Sequence, residues 1–153
     1  SEQRCYQDIR AMWAYLVHVL KIPPERIILA GASMGGGVTM ELATQVTPAA
    51  VILESTFTAI PEALFDTYPF IPANWICHIQ FRNIDKVGLL HCPVLIMHSE
   101  EDTLVPFVHG KRLYDNITAP KRFVPLQGAH YGGKFQCREA YGQSLAKFLE
   151  EYF

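Results

Sequence analysis

Short apolar runs alternate with helical patterns along the whole chain, and this alternation constrains the fold more than any other feature. Such an order is typical of βα units built around a parallel sheet whose strands are buried on both faces. We therefore predict an α/β fold with a mostly parallel sheet of about four strands flanked by helices. The predicted strands are 26–30, 50–53, 92–97 and 121–125, and the predicted helices are 6–20, 37–45, 57–68, 106–116 and 137–152.

The length of the chain predicts one domain over residues 1–153. The aromatic and proline-containing segment 69–82 follows neither the helix period nor the strand period, so we predict a short lid or a substrate-groove insertion there. The candidate groove residues are Phe70, Ile71, Trp75 and Ile76. The alternative is that these side chains cover the sheet as ordinary core.

Charge and cysteine usage exclude several classes of function. The formal net charge is −2 and the 13 Lys and Arg residues are scattered, so we predict no nucleic-acid partner. The four cysteines lie far apart without a zinc-binding spacing, which predicts free thiols and no metal or cofactor. No apolar run is long enough to cross a membrane and residues 1–5 lack the apolar core of a signal peptide, so a cytoplasmic location is favoured.

The sequence Gly31-Ala-Ser33-Met-Gly35 directly follows an apolar strand and opens a helix. This is the context of a nucleophile elbow, in which a sharp turn exposes a serine hydroxyl above the sheet. We predict that Ser33 is a nucleophile and that the backbone N–H of Met34 is an oxyanion donor. The alternative is a glycine-rich structural turn or a phosphate cradle, but the sequence lacks the lysine-containing pattern of a phosphate-binding loop.

A serine nucleophile needs a base to remove its proton and an acid to orient that base. Asp102 follows the third predicted strand and His130 follows the fourth, so both lie at the same edge of a parallel sheet as Ser33. We therefore predict a triad of Ser33, Asp102 and His130. The alternative acids are Glu54, Glu100 and Glu101, the alternative base is His98, and the histidines interpreted as surface or packing residues are His18, His78, His91 and His109.

With these motifs in place, the chain resembles the α/β-hydrolase superfamily, and within it the serine hydrolases related to depalmitoylases and prolyl-oligopeptidase-type domains. The resemblance implies cleavage of a carboxylic ester, thioester or amide through an acyl-enzyme on Ser33. It favours a small-molecule or acyl substrate, and ester or thioester chemistry over peptidase chemistry. The matching stretches are 31–37, 53–58, 93–98, 102–106 and 128–130.

Two departures from this family pattern bear on activity. Ser99 stands where the family usually has glycine, which we expect to tighten the loop that carries Asp102. The chain resembles only the C-terminal strands of the family's larger sheet, without the loop that donates a second oxyanion N–H. We therefore expect an open edge at the elbow strand, covered by a second copy or by a missing N-terminal half. The alternative functions are a catalytically weak or silent interaction module, and a lyase or haloperoxidase with the same triad.

Overall fold

Four parallel strands form one sheet whose spatial order follows the order of the strands in the sequence. The computed structural model describes residues 1–153, apart from the side chains of residues 74, 133 and 134. The predicted α/β fold with a four-stranded parallel sheet is confirmed. The strands are β1 (Ile28–Ala32), β2 (Ala50–Glu54), β3 (Val94–Ser99) and β4 (Lys121–Leu126).

The carboxyl ends of all four strands lie at one edge of the sheet because the strands are parallel and in register. Ala32 at the end of β1 is paired with Glu54 at the end of β2, and Glu54 is paired with Met97 of β3. Ser99 at the end of β3 is paired with Leu126 at the end of β4. The loops that follow the strands therefore begin side by side.

Helices cover both faces of the sheet. The helices Glu2–Ala14, Met34–Ala43 and Phe107–Asn116 contribute to the core cluster that includes Leu29, Val51 and Ile96. The helix Arg138–Tyr152 packs against a second cluster with Leu95 and Met97. Alternation of side chains along each strand supplies both faces with apolar residues. The helices are α1 (Glu2–Ala14), α2 (Met34–Ala43), α3 (Ile60–Thr67), α4 (Ala73–Ile76), α5 (Phe107–Asn116), α6 (Gly133–Gln136) and α7 (Arg138–Tyr152).

Several helix boundaries differ from the predicted ones for local reasons. Helix α1 begins at Glu2 because the Ser1 hydroxyl caps it by accepting the Arg4 N–H at 3.4 Å, and it continues through one π-helical turn over Tyr15–Val19. Helix α2 begins at Met34, three residues earlier than predicted, because it starts immediately after the elbow. Helix α3 begins at Ile60 rather than residue 57, since Ala59 is still extended.

Strands β1 and β4 are the outer strands of the sheet among the described residues. The outer position of β4 fits Pro125, which has no N–H to donate to a neighbouring strand. The segment 69–82 contains the short helix α4 and is otherwise irregular, and the four cysteines are unpaired thiols. Among the described helices, none combines the length and apolarity required to span a bilayer.

Candidate active site

Ser33 occupies the single position between the end of β1 and the start of α2. Its backbone has φ 51° and ψ −122°, a region that non-glycine residues seldom occupy and that costs about 1–3 kcal/mol. Neighbouring groups hold this conformation, because the Ser33 N–H donates to the Glu54 carbonyl at 2.8 Å and the Thr56 hydroxyl donates to the Ser33 carbonyl at 3.4 Å. The strained turn is therefore fixed from the adjacent strand β2.

The glycines around Ser33 differ in how much space surrounds them. A Cβ atom on Gly31 would lie 2.5 Å from the Gly35 carbonyl oxygen, and one on Gly36 would collide with the Thr56 hydroxyl. A Cβ atom on Gly35 would meet no heavy atom within 4 Å. Close packing in this chain thus requires glycine at 31 and 36, whereas position 35, the last of the five-residue motif, is open.

The structure brings Ser33, His130 and Asp102 together. His130 Nε2 lies 2.9 Å from Ser33 Oγ, and His130 Nδ1 lies 2.7 Å from Asp102 Oδ2. A carboxylate can only accept, so Nδ1 carries the proton and Nε2 of the neutral ring is free to accept the Ser33 hydroxyl proton. Both His130 and Asp102 are buried. The arrangement has the geometry of a nucleophile, a base and an orienting acid.

Asp102 is held as an anion by several donors. Its Oδ1 accepts the N–H groups of Leu104 at 3.0 Å and Val105 at 2.8 Å. Burial is the largest single influence and raises the pKa of Asp102. Hydrogen bonds from His130, His98 and Val105 together outweigh burial and hold the pKa well below its ordinary value. Asp102 is therefore ionised at neutral pH and can orient His130.

The alternative acids and the alternative base have other contacts. His98 is fully buried, and its Nε2 donates to the Val105 carbonyl at 2.9 Å and lies 3.4 Å from Asp102 Oδ2. The Glu54 carboxylate accepts the Tyr141 hydroxyl at 3.1 Å. The remaining acidic neighbours of Asp102 are Glu100, which is exposed, and Glu101, whose carboxylate accepts a backbone N–H at 3.0 Å.

An apolar cavity of about 190 Å³ opens beside Ser33 and Met34, and we call it the Ser33 pocket. Helix α3 supplies four of its ten lining residues, and the loop after Asp102 supplies two more. The sequence analysis did not identify these residues. The available signal was the helical spacing of residues 60, 63, 64 and 67, which places them on one face of the helix that follows the matched stretch 53–58. The other lining residues are Phe57, Ile60, Ala63, Leu64, Thr67, Tyr68, Leu104 and Val105.

The structure does not bring the predicted groove residues to Ser33. Phe70, Ile71 and Trp75 line a separate cavity of about 300 Å³ that does not include Ser33. They are not core either, since Phe70 is 97% exposed and Trp75 is 89% exposed. Ile76 is 56% exposed and lines neither of these two cavities.

Met34 is the first residue of α2, so its N–H has no carbonyl acceptor four residues earlier in the helix. This is the group predicted to bind an oxyanion, and the helix N-terminus adds a favourable dipole for negative charge. Within the part of the chain that the structure describes, no group of three or more His, Cys, Asp or Glu side chains is arranged to hold a metal ion.

Comparison with known proteins gives one family over the whole chain. The model of the prolyl oligopeptidase family matches residues 1–153. Alpha/beta hydrolase domain-containing protein 17B from Xenopus laevis is 35% identical over 151 residues, which cover 98% of this chain and 49% of that protein. The human protein of the same name is 34% identical with the same coverage. The chain thus spans about half the length of the curated relatives it matches.

Solved structures share the fold at lower identity. The acylaminoacyl peptidase of Pyrococcus horikoshii has a TM-score of 0.73 and 20% identity, covering 96% of this chain and 27% of that chain. The esterase domain from a Rhodothermus marinus protein has a TM-score of 0.72 and 22% identity, covering 96% of this chain and 68% of that chain. These similarities establish the architecture of the sheet and its helices.

Proposed function

Because this chain belongs to the prolyl oligopeptidase family and has the α/β-hydrolase fold, we propose that it is a serine hydrolase that forms an acyl-enzyme on Ser33. The observation that carries the proposal is the pair of contacts on His130, at 2.9 Å to Ser33 Oγ and 2.7 Å to Asp102 Oδ2. The first is within the reach of proton transfer, and the second fixes the tautomer that transfer requires.

The proposed reaction begins when Ser33 Oγ attacks the substrate carbonyl and its proton passes to His130 Nε2. The tetrahedral intermediate collapses when His130 returns that proton to the leaving alcohol, thiol or amine, which leaves an acyl ester on Ser33. Water then attacks this ester and gives a proton to His130, and the acid is released as the proton returns to Ser33 Oγ. Asp102 stays ionised throughout and stabilises the imidazolium that forms twice in the cycle.

The oxyanion of both tetrahedral intermediates needs hydrogen-bond donors. The N–H of Met34 is proposed as one donor, since it is uncommitted within α2 and adjoins the nucleophile. Removal of a single donor from such a hole typically costs about 10²–10³ in rate. The Met34 N–H is therefore expected to contribute a factor of about this size to the rate.

The Ser33 pocket favours an acyl group that is apolar. Its walls carry aliphatic and aromatic side chains, and Thr67 is the one polar side chain on the portion contributed by α3. A charged or strongly polar acyl group would lose its hydration there without gaining matching hydrogen bonds. We therefore propose a carboxylic ester or thioester of an apolar acid as the substrate class, in preference to a peptide.

A fluorophosphonate probe tests the nucleophile directly. Attack by Ser33 Oγ on phosphorus would expel fluoride and leave a stable adduct, which mass spectrometry locates on the peptide that contains Ser33. We expect labelling of the wild-type chain and of Ser144→Ala, a control serine on α7, and none of Ser33→Ala. His130→Ala should be labelled at least about 10²-fold more slowly, since the base is lost. An unlabelled, folded wild-type chain would contradict the proposal.

A panel of p-nitrophenyl esters with increasing acyl length tests the assignment of the pocket. Ala63 is 8% exposed and lines the pocket, so Ala63→Leu adds bulk where the acyl chain would lie. We expect kcat/KM for long-chain esters to fall about 10–100-fold while acetate hydrolysis changes less than about twofold, because each excluded methylene is worth roughly 1 kcal/mol. The control Ala140→Leu, on α7, should leave both unchanged. An equal loss for acetate and long-chain esters in Ala63→Leu would contradict the assignment.

A further inference from the structure

The loop after β3 and the loop after β4 are joined by hydrogen bonds to both peptide groups of one residue, Gly128. The Ser99 hydroxyl donates to the Gly128 carbonyl, and the Gly128 N–H donates to the Glu101 carboxylate at 3.0 Å. The Glu101 N–H in turn donates to the Ser99 hydroxyl at 3.2 Å. We call this set of three contacts the Gly128 clamp.

The clamp begins where the backbone pairing of the sheet ends. The last bond between the two chain segments along the sheet runs from the Glu100 N–H to the Leu126 carbonyl at 3.0 Å. Next to it, the side chain of Ser99 at the end of β3 and the side chain of Glu101 in the following loop bind the backbone of Gly128 in the loop after β4. Gly128 has φ 100°, and a Cβ atom there would collide with the Gln136 side chain, so position 128 requires glycine.

The residues of the clamp lie very near Asp102 and His130 in the sequence. Asp102 follows Glu101 directly, and His130 follows Gly128 by two residues. A displacement at Gly128 therefore reaches the imidazole ring with little intervening chain to absorb it. The contacts of 2.7 Å and 2.9 Å on His130 leave little tolerance for such a displacement, because hydrogen bonds weaken steeply with distance and angle.

We propose that Ser99 and Glu101 are positioning residues that hold His130 in register with Asp102 by fixing the Gly128 peptide groups. The expected effect on catalysis rests on the proposed function, whereas the expected effect on the position of His130 does not. Ser99 is 1% exposed, so its hydroxyl is committed to these loops. Glu101 acts as a hydrogen-bond acceptor for the loop, a role that an uncharged amide oxygen can also fill.

The test compares variants of the full chain with matched chemistry. Glu101→Ala removes the acceptor, Glu101→Gln keeps an acceptor without the charge, and Glu100→Ala is the control at an exposed neighbour. Ser99→Ala removes the buried hydroxyl, and it is combined with Glu101→Ala to open the clamp fully. If variants that carry Ser99→Ala do not fold, Glu101→Ala is measured on its own.

Two measurements report on the register of His130. The first is the low-field proton resonance of the His130 Nδ1–H that is shared with Asp102, which does not depend on turnover. The second is kcat for a p-nitrophenyl ester, divided by the number of sites that a fluorophosphonate titrates. We expect the double variant to lose the resonance and to lose about 10–100-fold in kcat per titrated site, the scale of a misplacement near 1 Å. KM should hold, since neither residue lines the Ser33 pocket.

The conservative variant decides between positioning and other roles. Glu101→Gln and Glu100→Ala should keep the resonance and stay within about twofold of wild-type kcat, on the scale of one modest hydrogen bond or less. An equal loss in Glu101→Gln and Glu101→Ala would overturn the inference in favour of a charge effect. An unchanged resonance and kcat per site in the double variant, with only a lower melting temperature, would also overturn it. A wild-type chain with the resonance but without labelling would contradict the proposed function, and the resonance would still test the clamp.

Discussion

Replacement of Asp102 by asparagine keeps the shape of the side chain but removes its charge and introduces an NH₂ donor, and the contacts of Asp102 determine where that donor lies. The N–H groups of Leu104 and Val105 point at Oδ1 from 3.0 Å and 2.8 Å, so the asparagine oxygen must occupy that position. Its NH₂ group then faces His130 Nδ1. The reverse orientation would set that NH₂ against two backbone donors, and each unsatisfied donor costs about 1–3 kcal/mol.

The new donor forces His130 into the wrong tautomer. With Nδ1 accepting from the asparagine NH₂, the ring proton moves to Nε2, which then cannot take the proton of Ser33 Oγ. We expect kcat for a p-nitrophenyl ester to fall about 10⁴-fold, as is typical for this change in a serine triad. That factor corresponds to about 5 kcal/mol of lost transition-state stabilisation.

The assay combines ester turnover with the second-order rate of fluorophosphonate labelling, and circular dichroism verifies that the variant is folded. Glu54→Gln is the matched control, since its carboxylate also ends a strand but accepts from Tyr141. It should retain activity to within about twofold, because its side chain is assigned no step in the reaction. A folded Asp102→Asn chain with activity within tenfold of wild type would refute the reasoning, as would an equal loss in Glu54→Gln.

Three further outcomes concern stability, each measured by urea denaturation. Gly36→Ala should lower the free energy of unfolding by about 1–3 kcal/mol because its methyl group has no room, whereas Gly35→Ala should not; equal effects would contradict the packing argument. The lowered pKa of Asp102 means that its ionised form stabilises the fold above the unfolded value of about 3.9. The free-energy difference between wild type and Asp102→Asn should therefore hold from neutral pH to about 5 and shrink as the pH falls below the unfolded pKa towards the lower folded one, and a difference as large at about pH 2 as at about pH 5 would count against it. Phe148 is fully buried, so Phe148→Ala should lower the free energy of unfolding by about 3–5 kcal/mol. Phe70 is 97% exposed, so Phe70→Ala should lower it by less than about 0.5 kcal/mol, and equal losses in the two variants would contradict the burial of Phe148.

The fold and the convergence of the three site residues follow from information that is local in the sequence. The first three strands are short apolar runs, β4 begins with two charged residues before its apolar part, and Ser33, Asp102 and His130 each come soon after a strand. Parallel pairing then carries all three to the same edge without further information. Helix α2 begins at Met34, before the predicted start at residue 37, because it takes up the glycines at 35–37 directly after the elbow.

The lining of the Ser33 pocket could not be predicted in the same way. The position of α3 over Ser33 depends on the irregular segment 55–59, where Thr58 is held by His109 through hydrogen bonds at 2.8 Å and 3.3 Å. This contact joins residues 51 positions apart, and no local pattern encodes it. The sequence predicts a substrate groove in the aromatic segment 69–82 instead, because apolar residues in an irregular segment suggest a groove whether or not they face the nucleophile.

The outer position of β4 has a consequence for how the protein loses function. Most residues of β4 are only half-buried, and the strand pairs with β3 alone, so it has fewer contacts to break than the strands on its inner side. Partial opening of a native protein starts in such weakly held units, well before global unfolding. Detachment of either outer strand would separate His130 from Ser33, because β4 leads to His130 and β1 leads to Ser33, while the rest of the sheet stays intact. At low denaturant concentration, the protein should therefore lose the proposed activity before circular dichroism detects unfolding.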